Sequence, residues 1–181
     1  MWYKYLMKKA MRISVLILLT VLSLLRNAAW KDDGTLWNDA TSKGPGKARG
    51  YNEVGLHAIE TGNYAEALYA FTKTIQKNPY QQEAYINIGL AYEGLKKTDL
   101  AVQAYEKAIA LAPSDPVAYY NLGILFYNTG KDRDTAFGLL LKARDLNPQE
   151  PDVHEYLGFI YRERGDHPAA QKEFSLYQSL K

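Results

Sequence analysis

Asn87 and Asn121 lie 34 residues apart, and a carboxamide that both donates and accepts can bridge the N–H and C=O groups of a peptide backbone at two evenly spaced points. Other chemistry is harder to assemble. The three histidines, His57, His154 and His167, offer no i, i+4 pair of the kind that holds a metal on one helix face. His154-Glu155 begins like a zincin motif, but Gly158 stands where the second histidine belongs. In Lys43-Gly44-Pro45-Gly46-Lys47, Thr41 replaces the first glycine of a phosphate loop, Ala48 replaces its Ser/Thr, and no strand precedes it. That segment reads as a turn. Asp132 and Asp134 fall at a helix start, where the helix dipole accounts for them. Cysteine is absent, which excludes a thiolate metal site and a disulfide framework. The residues point to no catalytic centre, no metal and no cofactor.

The 34-residue interval is general. Gly55, Gly89 and Gly123 repeat it, each after Val54, Ile88 or Leu122, and Tyr51, Tyr85 and Tyr119 stand four residues before each glycine. Ala67 and Ala101 follow, then Phe71 and Tyr105, then Pro79, Pro113 and Pro148. A fourth unit carries His154, Leu157, Gly158, Tyr161, Ala170 and Phe174, one residue late. The extra residue lies between Gly130 and Ala136, in a turn, where insertion is cheap. A period of this length means an array of helical hairpins. In each first helix, aromatic and aliphatic residues recur at i, i+3 and i+7, as in Tyr85, Ile88 and Tyr92, with a glycine that lets the partner helix come close. The second helix answers with a small residue and a ring, as in Ala101 and Tyr105. Gly62, Gly130 and Gly165 punctuate the turns within hairpins. Asp115-Pro116 reads as an N-cap with proline at the first helical position, and Glu150-Pro151 as a weaker version.

These residues match the tetratricopeptide-repeat (TPR) consensus, and residues 48–181 resemble four such repeats, at 48–81, 82–115, 116–150 and 151–181. The third departs from it with Leu140 in the ring column, and the fourth lacks its closing proline. The resemblance implies an all-α, right-handed solenoid whose concave face is lined by the first helices. The implied peptide-binding groove comprises Asn52, Asn87, Leu90, Tyr120, Asn121, Ile124, Tyr127, Tyr156, Phe159 and Arg162. Asn87 and Asn121 form a short ladder similar to that in the repeat arm of O-GlcNAc transferase, or they are ordinary consensus residues, since Glu53 and Tyr156 break the series. Chaperone-binding members of the family use a carboxylate clamp, and Asn52 and Leu56 stand where its first lysine and asparagine belong. That departure argues against a chaperone ligand.

Upstream of the repeats, Thr35 to Lys43 has the register of a second helix, which predicts a half-repeat cap packed on the first repeat through Leu36 and Trp37 within a junction at 31–47. Residues 1–30 need another solvent. Ile13 to Leu25 is apolar except for Ser14, Thr20 and Ser23, and Lys4, Lys8, Lys9 and Arg12 precede it. This is either an uncleaved signal anchor, a cleaved signal peptide or a buried apolar helix. As an anchor it places the N-terminus in the cytoplasm and the repeats outside, in the periplasm of a Gram-negative cell. The junction, with Trp30, Leu36-Trp37 and Ala48-Arg49, resembles the membrane-helix/repeat boundary of multi-spanning TPR membrane proteins of the O-mannosyltransferase-like group, without their catalytic region.

At the other end Leu176, Tyr177 and Leu180 form an apolar face that a fifth repeat would cover, which predicts weak dimerisation or docking of a partner helix there. With 47% hydrophobic residues, a formal charge of +2 and no basic stripe, the chain is not expected to bind nucleic acid. Two functions stay open. One is a membrane-tethered scaffold that binds protein or peptide partners in its groove for assembly of an envelope complex. The other is a non-catalytic accessory of a membrane glycosyl-transfer system that presents acceptor proteins.

Overall fold

The computed structural model describes residues 48–181, with side chains from residue 50. The anchor or signal segment at 1–30 and the half-repeat helix at 35–43 lie outside the described residues. Within them are eight α-helices and no strand: α1 (Ala48–Glu60), α2 (Tyr64–Lys77), α3 (Gln82–Gly94), α4 (Thr98–Leu111), α5 (Pro116–Thr129), α6 (Arg133–Leu146), α7 (Pro151–Glu163) and α8 (His167–Leu180). Among the described residues no helix is long and apolar enough to cross a membrane.

The helices pair as α1/α2, α3/α4, α5/α6 and α7/α8, and each second helix also packs on the first helix of the next hairpin. Each inner core therefore spans two hairpins. Ala58, Ala67 and Phe71 join Ile88, Ala91 and Ala104; Ala101, Tyr105 and Ala108 join Ala118, Leu122 and Leu125; Leu140 and Ala143 join Val153, Leu157 and Ile160. A chain built this way buries its apolar faces only by stacking neighbours.

The glycine column meets the ring column directly. A Cβ at Gly55, Gly89 or Gly158 would fall under 3 Å from the rings of Phe71, Tyr105 and Phe174 respectively. At Gly123 it would meet Leu140 instead, the residue that replaces the ring. The large residue of each second helix thus sits on the bare backbone of its own first helix, which is the close approach that the sequence pattern predicts.

The turns follow the sequence as well. Asp115 accepts from the Val117 N–H at 2.8 Å with Pro116 in the first turn, whereas Glu150 makes no side-chain cap. Asp132 does more than oppose a dipole, since it caps α6 by accepting from the Thr135 N–H at 2.9 Å. Asn78, Ala112 and Asn147, which precede the three closing prolines, leave the helical region with ψ of 91°, 79° and 90°, as a following proline requires. Gly62, Gly130 and Gly165 have φ of 75°, 63° and 79°. Lys96 takes the same place in the second hairpin with φ of 58°, without a glycine's freedom. The extra residue of the third unit is Lys131, between Gly130 and the capping Asp132. Its ammonium reaches back to Asp99 of α4 at 2.8 Å.

Candidate functional site

The first helices α1, α3 and α5 touch in succession, and between them lies a hollow of about 300 Å³. Asn52, Asn87, Leu90 and Asn121 line it together with Leu56, Ile86, Gln82, Glu83, Asp115 and Val117. Two residues 34 positions apart, Asn87 and Asn121, are thereby brought to one cavity, and Asn52 joins them from the preceding hairpin. Leu56 and Val117 are among the few exposed large apolar side chains, so the hollow offers apolar surface to solvent beside its amides.

Two polar atoms in its wall are orphaned. Oδ1 of Asn52 and Nε2 of Gln82 are shielded from solvent without a hydrogen-bond partner. An unmet buried acceptor or donor costs about 1–3 kcal/mol; these two belong to residues that border the hollow, but the atoms themselves are closed to solvent and do not open into it.

Tyr120 and Asn121 border a second, smaller hollow of about 200 Å³ with Pro116, Val117, Asn147, Glu150 and Val153. The remaining groove residues close on themselves. Tyr156 stands edge-on to Tyr120, Tyr127 and Phe159 with centroid separations of 6.4, 5.6 and 6.2 Å, and Phe159 continues to Phe174 at 5.4 Å. Ile124 packs into the same core. The Tyr127 hydroxyl donates to Glu163 at 2.8 Å while the Arg133 guanidinium covers its ring at 4.1 Å. The Tyr120 hydroxyl is held well above the usual tyrosine range by burial and by the nearby Asp152 carboxylate. Arg162 lies over the Phe159 and Phe174 rings at 5.2 and 5.7 Å. It borders a hollow of about 400 Å³ with His167, Gln171 and Gln178. The predicted groove thus divides into an amide-lined hollow at α1, α3 and α5 and an aromatic band across α5, α7 and α8.

Leu176, Tyr177 and Leu180 are half-buried rather than openly exposed. Lys181 lies over the Tyr177 ring at 4.7 Å and donates to its hydroxyl.

Gln82, Glu83, Asp115 and Val117 were not foreseen as site residues. Their signal is positional: three occupy the first turn of a first helix and Asp115 its N-cap. Those places read as helix starts until the neighbouring helix is known.

His154 is committed elsewhere. Its Nδ1 lies 2.6 Å from Oε2 of Glu173 and its Nε2 3.0 Å from the Pro148 carbonyl oxygen, and Arg144 reaches the other Glu173 oxygen at 3.4 Å. Among the described residues no group of three or more histidine, aspartate and glutamate side chains is placed to hold a metal ion.

Residues 95–130 match the family model for the TPR repeat. None of the curated proteins matches the sequence. Similar solved structures include MamA from Desulfovibrio magneticus RS-1, residues 41 to its end, with a TM-score of 0.70 and 24% identity over 88% of this chain and 89% of that chain. A thermophilic TPR protein of Thermus thermophilus gives a TM-score of 0.70 at 17% identity, covering 88% of this chain and 87% of that one. A chain of the APC/C hetero-tetramer Cut9–Hcn1 gives 0.72 at 24% identity, covering 80% of this chain and 28% of its own length. Helix pairing, the glycine-on-ring crossings and these likenesses agree: in fold, the described chain is a tetratricopeptide-repeat solenoid.

Proposed function

We propose that the array is a scaffold that binds a protein partner by taking an extended segment of it into the hollow between α1, α3 and α5. The observation that carries this reading is the composition of that cavity. The amides of Asn52, Asn87 and Asn121 and the apolar surfaces of Leu56, Leu90 and Val117 face one space, which suits a peptide backbone with intermittent apolar side chains. The aromatic band is the less available half, because its rings already satisfy one another.

The test is a photo-crosslinking side chain placed at Leu90 in the full chain within the source cells, with the exposed Lys107 on α4 as the control position. Leu90 should give a discrete adduct that Asn87→Ala with Asn121→Ala removes. The same adduct from Lys107, or its survival in the double variant, overturns the reading.

Membrane tethering through residues 1–30 belongs to the same proposal and is supported by the apolar run Ile13 to Leu25 behind four basic residues. A reporter active only outside the cytoplasm, fused after Lys181, should be active in a bacterial host. A reporter active only in the cytoplasm would overturn the tether. Association through Leu176, Tyr177 and Leu180 is a further part of it. Sedimentation should show a concentration-dependent dimer that Leu180→Glu abolishes, and a monomer throughout overturns it.

A further inference from the structure

We propose that the hollow beside Arg162, at the C-terminal end of the array, takes an acidic segment of a partner protein, with one aspartate or glutamate side chain seated against the Arg162 guanidinium. This is a second site, on the fourth hairpin, and it stands whether or not the α1/α3/α5 hollow binds peptide. Its volume is about 400 Å³, and Arg162 from α7 and His167, Gln171, Phe174, Ser175 and Gln178 from α8 line it. All of these but Phe174 are exposed, so the site is open to a ligand. Among the described residues that line it, none is acidic.

Arg162 is the residue that points to a ligand. The other arginines whose side chains are described each meet a carboxylate: Arg133 meets Glu163 at 3.5 Å, Arg144 meets Asp145 at 3.0 Å and Arg164 meets Asp134 at 2.6 Å. Arg162 meets none among the described residues. It lies over the Phe159 and Phe174 rings, a contact that spends none of its N–H donors on an acceptor. The carboxylates beside it in sequence are engaged elsewhere, Glu163 by Arg133 and the Tyr127 hydroxyl and Asp166 by the Ala169 N–H. A guanidinium held by two rings and left unpaired by its own chain is prepared for the two oxygens of a carboxylate.

The wall of the hollow agrees. Gln171 and Gln178 occupy the columns of Leu68, Val102 and Phe137 and of Ile75, Ile109 and Arg144. In the first three hairpins those columns pack Leu68 and Ile75, then Val102 and Ile109, then Phe137 against the core shared with the next hairpin. On α8 the same face carries carboxamides, which can donate to a carboxylate. A polar end face alone only keeps a repeat array soluble. The unpaired arginine among donors, with no acid beside it, is what selects an anion.

The experiment selects a library of random nine-residue peptides against the full chain, with the Arg162→Gln variant as the background. Enriched peptides should carry aspartate or glutamate at one fixed position. Replacing that residue by its amide should weaken binding about three- to fivefold, as an exposed ion pair allows, and Arg162→Gln should abolish the difference. Gln178→Glu, which leaves the arginine in place but puts a carboxylate into the hollow, should abolish it too. Binding should weaken as salt is raised and should be unchanged in the Asn87→Ala/Asn121→Ala variant. Peptides without an acidic preference, or enrichment no better than the background, overturn the inference. So do acidic peptides that Asn87→Ala/Asn121→Ala releases and Arg162→Gln does not, although these would support the α1/α3/α5 hollow as the binding site. Full displacement of a selected peptide by free inorganic phosphate would show a site for small anions and would also overturn the inference.

Discussion

In the interior of the fourth hairpin, Nδ1 of His154 lies 2.6 Å from Oε2 of Glu173, and the two side chains are only 3% and 6% exposed. His154 stands in the column of Tyr51, Tyr85 and Tyr119, and Glu173 in that of Ala70, Ala104 and Leu139. A polar pair has replaced two packing positions. Because Nε2 faces a carbonyl, which only accepts, that nitrogen carries a proton, and the Nδ1–Oε2 contact needs one more. Removing Glu173 leaves the buried Nδ1 of His154 without its partner, and removing His154 leaves the Glu173 carboxylate with Arg144 alone. Glu173→Ala should therefore cost about 2–4 kcal/mol, whereas His154→Tyr with Glu173→Leu, which restores the column types, should cost much less than the two single changes added. Urea unfolding of the four proteins of the cycle measures this, and additive losses would show that the pair is not coupled.

The glycine crossings should differ in tolerance. At Gly89 an added methyl meets the Tyr105 ring, which is fully buried and tied by its hydroxyl to Glu93. At Gly123 it meets Cγ of Leu140 at 2.8 Å, and that side chain is fully buried as well. Gly89→Ala should destabilise by about 1–3 kcal/mol. Gly123→Ala should destabilise by less, because its nearest contact, at 2.8 Å, is less tight than the one at Gly89 and the helix propensity gained offsets about 1 kcal/mol of the crowding. Gly123→Leu exceeds that allowance and should lose about 1–3 kcal/mol. Thermal melts rank the three.

Lys96 holds the left-handed position that glycine fills in the other three hairpins. Lys96→Gly should stabilise by roughly 0.5–1 kcal/mol, the strain relieved less the added freedom of the unfolded chain. Lys96→Val should destabilise. The shift in the urea midpoint at constant slope gives both signs.

Glu93 supplies a pH dependence. Burial pushes its carboxyl above the ordinary value of 4.5, against the opposing hydrogen bond from Tyr105. The folded protein therefore binds this proton more tightly than the unfolded chain. That contribution to stability is full below about pH 4.5 and is lost as pH rises through the raised folded value. Glu93→Gln keeps an acceptor for the Tyr105 hydroxyl without the charge. The variant should melt higher than the parent at about pH 7, with the gap closing as pH falls toward about 4. A gap that widens on acidification would reverse the sign.

The sequence by itself determined the hairpins, their order and their punctuation. Its signals are local: a glycine and a ring in the same unit, a capping Asp115 before Pro116, prolines that force Asn78, Ala112 and Asn147 out of the helix. In a repeat array each unit contacts its neighbours, so short-range pattern and tertiary packing coincide. The insertion was readable as far as the turn between Gly130 and Ala136, and the cap at Asp132 then shows it to be Lys131. The tertiary structure decided what the inner face is. Period placed Asn87 and Asn121 in one column but could not say that Gln82, Glu83, Asp115 and Val117 complete their cavity, because that depends on how far each first helix is set over the last. Likewise Tyr156 and Phe159 carry the same consensus logic as Asn121 and Leu90. Only the packing of α7 against α5 and α8 shows that these rings are spent on one another, while the amides of the first three hairpins are left facing an open space.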